Sequence, residues 1–92
     1  MSEEELEKGK RVVWQMLERL ADDFVIPLAG LTWKQTDKDF DHLRWSIVDL
    51  KSGRVVLKVQ AGDLEDCPTT PSIRTKVQNL LRQAVESAYP GR

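Results

Sequence analysis

Two stretches of alternating apolar and polar residues, Leu43–Asp49 and Arg54–Ala61, flank a short turn in the middle of the chain. Leu43, Trp45 and Ile47 alternate with Arg44 and Ser46. Val55, Leu57, Val59 and Ala61 alternate with residues that include Lys58 and Gln60. A period of two is the signature of strands buried on one face, so the segment predicts a β-hairpin. A two-residue Ser52-Gly53 turn would set Ile47 against Lys58. A three-residue loop, Lys51-Ser52-Gly53, instead pairs Ile47 with Leu57, Trp45 with Val59, Leu43 with Ala61 and Val48 with Val56. It also places Gly53 at the left-handed position such a loop requires.

Helical periodicity flanks the hairpin. Leu6, Val13, Met16, Leu17, Leu20 and Phe24 fall on one stripe, with Trp14 and Ala21 at its border. Ser2 and Glu5 form a capping box before it, and Pro27 stops it, which predicts a helix over about 3–24. Leu31, Trp33 and Gln35 alternate with Thr32, Lys34 and Thr36 and predict a shorter strand over 31–36. The hairpin strands are expected over 43–50 and 54–61. Composition marks Gly62–Pro71 as a loop. Thr70 as N-cap and Pro71 at the first helical position then open a second amphipathic helix over about 71–89, carried by Ile73, Val77, Leu80, Leu81, Ala84, Val85 and Ala88.

The expected fold is α+β: an α-β-β-β-α two-layer sandwich, a three-stranded antiparallel meander with both helices on one face. Ninety-two residues make one domain, with 40% apolar and 32% charged residues placing it among soluble globular chains. A net charge of −1 gives no global field toward nucleic acid or anionic lipid. No apolar run reaches the length of a membrane span, and the acidic start MSEEELEKGK is unlike a signal peptide, so a cytoplasmic location and no membrane partner are expected. The single cysteine, Cys67, excludes an internal disulfide and fits a reducing compartment.

The register defines an uncovered sheet face. Lys34, Arg44, Arg54 and Lys58 stand on it, a candidate anion or nucleic-acid contact; the ordinary role of such residues is to solubilise an open sheet and guard its edges. Val48, Leu50 and Val56 interrupt that face near the hairpin tip and are the expected protein-interaction patch, for a partner or a second copy of the chain. On the last helix Arg74, Gln78 and Arg82 stack at i, i+4 and i+8, with Lys76 set apart from them.

Chemistry-bearing motifs are sparse. Asp37-x-Asp39-x-Asp41 resembles the opening of a calcium loop, but His42 stands where glycine belongs and Val48 where the closing glutamate belongs. Asp63, Glu65 and Asp66 form a second acidic cluster that reads as a solvated loop. One histidine and one cysteine cannot complete a zinc site without carboxylates or a second chain. Cys67 reads as a small apolar plug, and Trp14, Trp33 and Trp45 as core. No cofactor is implied.

The element order resembles that of double-stranded-RNA-binding domains. Those domains use a His-containing β1–β2 loop in the minor groove and a Lys-rich start of the last helix on phosphates. The corresponding segments here are the strongly acidic DKDFDH, residues 37–42, and PSIRTKVQ, which offers Arg74 and Lys76. The same order opens the fold of small acidic bacterial secretion chaperones, which are homodimers. The expectation is a non-enzymatic protein-interaction module, possible self-association included, with an RNA-binding domain as the alternative.

Overall fold

The first helical stretch forms α1, Glu3–Leu20, and buries Gly9, Val13 and Leu17. The computed structural model describes residues 3–39 and 42–92, with side chains placed for 3–35 and 44–92. Ser2 of the expected capping box therefore lies outside the described residues. α1 stops at Leu20 rather than near Phe24. Asp22 and Asp23 donate to Arg19 and Leu20 in tighter i→i+3 turns. Two carboxylates at the negative end of a helix dipole oppose further extension. Phe24 instead forms an antiparallel bridge with Gly91. Val25 N–H donates to the Pro90 carbonyl, and Arg92 Nε donates to the Ala21 carbonyl, so the tail of the chain pins this corner.

A short 3-10 turn, Leu28–Gly30, leads into β1, Leu31–Asp39, which pairs antiparallel with β2, His42–Asp49. β2 pairs with β3, Val55–Gln60, in the order β1-β2-β3. The expected pairs Trp45↔Val59 and Ile47↔Leu57 are present. The pair Leu43–Ala61 is not, because the ladder ends at Arg44↔Gln60 and Ala61 opens a helix.

The turn departs from expectation. Asp49 N–H donates to the Arg54 carbonyl and Gly53 N–H to the Asp49 carbonyl, which leaves four residues, Leu50–Gly53, in the loop. The Asp49 carboxylate accepts the Lys51 amide at 2.9 Å and stabilises that loop. One extra loop residue would slip the register, but a bulge restores it. Val48 pairs with Val55 and Ile47 with Leu57, leaving Val56 as the inserted residue. Core burial thus sets the register, and the bulge absorbs the mismatch. Gly53 has φ of +73° with open space around its Cα, as the loop requires. Gly53→Ala is expected to cost about 1 kcal/mol in denaturant unfolding through backbone strain alone.

The stretch expected as a loop after Ala61 contains a short helix, α2, Ala61–Asp66. Ala61, Leu64 and Cys67 recur every three residues and are all buried. The last helix, α3, spans Pro71–Ala88 and buries Val77, Leu81 and Val85. Thr70 is its N-cap by backbone, without a side-chain capping bond. The guanidinium of Arg74 instead ties the α2–α3 turn, donating from Nε to the Cys67 carbonyl and from Nη2 to the Pro68 carbonyl.

All three helices join one core with the sheet. Val13 and Leu17 of α1, Leu64 of α2 and Val77, Leu81 and Val85 of α3 meet Leu31, Ile47, Leu57 and Val59. α1 crosses α2 so closely at Gly9 that a side chain there would run into the Leu64 carbonyl oxygen. Lys10 lays its ammonium 3.4 Å from the centroid of the Trp45 ring and pairs with Glu7. The architecture is the expected α+β sandwich with an added short helix.

Candidate functional site

Val48 and Val56 do not form the exposed patch expected of them. Each is only 8% exposed, whereas Leu50 is 66% exposed. The bulge accounts for Val56: the inserted residue turns into the core, and Val55 takes the outer position at 40% exposure. Val48 lies on the central strand between Thr32 and Val55, outside the main core cluster but shielded within its row. What remains apolar at the hairpin tip is Leu50 and Val55, too little for a contiguous contact surface.

The cations of the sheet are exposed as expected, and two of them form a row. Lys34 on β1 and Lys58 on β3 flank fully buried Ser46 on β2. Arg44 stands one step along, opposite Gln60. Arg54 lies apart, at the turn, where its amide donates to Ser52 Oγ. β1 runs to Asp39, longer than expected, so acidic residues stand on the strand itself and Asp37 is the register partner of Arg44. Lys76 is held by Asp63 at 3.1 Å. Arg44, Lys58 and Lys76 line one shallow concavity, in which Asp63 offsets one of the three positive charges.

Cys67 is fully buried, and burial pushes its thiol above the ordinary range; Arg74 opposes that shift and Asp63 adds to it. A thiol held neutral in this way is a packing group, not an activated nucleophile. The Tyr89 hydroxyl is likewise raised, first by burial and then by Asp49, with Arg54 opposing. Of the acidic stretch at Asp37–Asp41, Phe40 and Asp41 lie outside the described residues, as do the side chains of Asp37 and Asp39. Among the described residues no three His, Cys, Asp or Glu side chains come together in a metal-binding arrangement. No described helix is long and apolar enough to cross a membrane.

Two concave surfaces lie along α1, and a third, of about 260 Å³, lies between the sheet and α2 and α3, where Arg44, Lys58 and Lys76 surround it with Asp63. On one flank, α1 and β1 enclose a groove of about 470 Å³, floored by Trp14, Leu31 and Trp33 and rimmed by Lys10, Arg11 and Glu18. Leu31 is buried, and both tryptophans are half-buried, packed against the core on one side. The groove exists because α1 turns its buried stripe toward α2 and α3, leaving the Trp14 border facing the first strand. β1 is also an edge of the sheet. From Leu31 to Gln35 it pairs regularly with Asp49–Trp45 on its inner side, and its outer backbone groups face away from the sheet, apart from Leu31 N–H, which donates to the Leu28 carbonyl. The bulge between Gln35 and Asp37 ends this regular stretch.

Sequence reasoning places Trp14 and Trp33 in the core and does not see that they also wall a groove. The border position of Trp14 on the helical stripe is the one signal that pointed outward. On the other flank of α1, the Arg74–Gln78–Arg82 ridge of α3 meets Arg19 across a second cleft. Compared with protein-family models, curated proteins and solved structures, the chain has no match.

Proposed function

We propose that this chain is a non-enzymatic protein-interaction module that takes an extended segment of a partner protein along the outer edge of β1. The observation that carries the reading is the juxtaposition of a regular five-residue edge, Leu31–Gln35, with the Trp14–Trp33 groove beside it. Backbone pairing to an exposed edge supplies affinity, and pockets for alternate side chains supply selectivity. Leu31, Trp33 and Gln35 alternate along β1, so an added strand projects every second side chain toward the helix-covered side, where the aromatic floor lies. The preferred segment carries aliphatic or aromatic residues at alternate positions. The mixed rim of Lys10, Arg11 and Glu18 imposes no strong net charge on it. The buried, neutral thiol of Cys67 supports a non-catalytic role.

The test is selection of displayed random peptides on the chain, followed by amide-exchange measurement with a selected peptide. Protection is expected to be gained at the outward amides of Trp33 and Gln35, Leu31 N–H being already bonded to the Leu28 carbonyl, and not on β3. Trp33→Ala should weaken binding about tenfold, equivalent to about 1.4 kcal/mol. Binding that leaves β1 unprotected and tolerates Trp33→Ala overturns the reading. Protection of β1 in the chain alone, with a dimer in sedimentation, replaces the partner by a second copy. Salt-dependent binding of duplex RNA through Lys34 and Lys58 would favour the nucleic-acid alternative.

A further inference from the structure

The groove beside the β1 edge is neutral overall, but its charges are unevenly placed along its length. Lys10 lies over the Trp45 ring, and Trp45 is the register partner of Gln35, so Lys10 marks the Gln35 end. A helix rises about 1.5 Å per residue, which puts Glu18 about 12 Å further along α1, close to the length of the Leu31–Gln35 stretch. Glu18 lines the same groove as Leu31. α1 therefore runs antiparallel to β1, with Lys10 and Arg11 toward Gln35, Trp14 and Trp33 in the middle, and Glu18 toward Leu31.

Each end keeps its sign once every charged residue of the lining is counted. Glu7 pairs with Lys10 at 3.3 Å, which leaves the exposed Arg11 as the uncompensated charge at the Gln35 end. At the Leu31 end the lining carries Glu18 alone. Asp49, the register partner of Leu31, is a further carboxylate on that side, held to the Lys51 amide. Arg11 and Glu18 share one face of α1 two helical turns apart, about 10 Å along the axis and too far to pair with each other. Neither side chain makes a hydrogen bond or ion pair among the described residues. Trp14 stands between them on the same face.

The edge fixes where the side chains of a docked segment fall. Trp33 and Gln35 present both N–H and C=O outward, and Leu31 its C=O alone. An antiparallel residue opposite Trp33 exchanges both bonds with it and points its side chain to the helix-covered side, over the tryptophans. The residues two before and two after it point the same way, opposite Gln35 and Leu31. The sheet pairs antiparallel throughout, and antiparallel ladders are the more stable per residue. Resting on the edge-docking reading, we propose that the partner segment runs antiparallel to β1 and carries, from its N-terminal side, an acidic residue, any residue, an aromatic or aliphatic residue, any residue and a basic residue. The acidic side chain meets Arg11, the apolar one fills the groove between Trp14 and Trp33, and the basic one meets Glu18. Such a segment has no net charge, like the lining, yet only one direction of it matches both ends.

The experiment titrates the isotope-labelled chain at low salt with two end-blocked peptides, Thr-Glu-Thr-Phe-Thr-Lys-Thr and its reversal Thr-Lys-Thr-Phe-Thr-Glu-Thr. Composition, net charge and apolar area are identical, so only the order of the charges differs. Both are expected to protect the Trp33 and Gln35 amides. The first should bind about fivefold more tightly, because two exposed pairs turn from attractive to repulsive in the second. The preference should shrink as salt rises. The double variant Arg11→Glu/Glu18→Arg should invert it, with the thermal midpoint unchanged because both side chains are exposed. If that variant fails to fold, Arg11→Gln and Glu18→Gln should each cut the preference to about twofold. Equal affinities, tighter binding of the reversed peptide, or a preference that the variants do not move overturns the inference, while protection of Trp33 and Gln35 keeps the edge reading standing. If neither peptide protects these amides at millimolar concentration, the edge reading fails and the inference with it.

Discussion

Gly9→Ala is expected to destabilise the chain by about 3 kcal/mol or more, the upper range for overpacking against a rigid neighbour. In an isolated helix the same change would help by up to ~1 kcal/mol, because alanine loses less conformational freedom than glycine. Tertiary contact reverses the sign here. A Cβ at Gly9 meets the carbonyl oxygen and carbon of Leu64, backbone atoms that cannot swing aside as a side-chain tip would. To admit it, α1 and α2 must separate, and α2 carries Ala61, Leu64 and Cys67 into the core. For a chain of 92 residues, with a total stability of roughly 5–14 kcal/mol, that is a large fraction. Denaturant unfolding of Gly9→Ala beside Gly62→Ala makes the check. Gly62 is exposed on α2 with nothing near a built Cβ, so its substitution should be neutral or stabilising. Equal or greater stability of Gly9→Ala would mean that the two helices do not cross at this glycine.

Why Gly9 was opaque to sequence reasoning, and the hairpin was not, comes down to the range of the interaction. Trp45↔Val59 and Ile47↔Leu57 are legible because period-two burial is written locally and a one-residue slip would expose every core side chain. The start of α3 is legible because Pro71 at the first helical turn is a local backbone constraint. Gly9 reads as a weak point in a helix until Leu64, far along the chain, is placed against it. α2 was hidden by composition. Gly62 and three acidic residues mask the three-residue spacing of Ala61, Leu64 and Cys67, which was the available signal. At the hairpin tip, alternation extends the strand to Leu50, whereas β2 ends at Asp49, whose carboxylate accepts the Lys51 amide and turns Leu50 into the loop. Of the functional surfaces, the Arg74–Gln78–Arg82 ridge was visible as helical spacing. Arg19 as its counterpart, and the Trp14–Trp33 groove, arise only when elements distant in sequence pack together.

Val56→Asp is expected to cost about 3–5 kcal/mol at neutral pH, while Val55→Asp should cost about 1 kcal/mol or less. The two residues are neighbours on one strand, and a simple alternation would have ranked them the other way, with Val55 inside. The bulge inverts the order: Val56 packs with the core cluster and Val55 faces outward. A carboxylate at Val56 must be buried without a partner or be neutralised by protonation, and both cost free energy. Burial raises its folded-state pKa above the unfolded value of about 3.9, so the variant's deficit is smallest below pH ~4 and grows as pH rises through the shifted pKa. An exposed carboxylate at Val55 gives no such slope. Urea unfolding of both variants at pH 4 and pH 7 therefore reads the bulge directly. It also decides the fate of the hairpin-tip surface. If Val56→Asp remained as stable as the wild type at pH 7, Val56 would be a surface residue and the apolar patch with Val48 and Leu50 would return as an interaction site. A large, pH-dependent loss assigns Val56 to the core and leaves the free edge of β1 as the face on which a partner segment can dock.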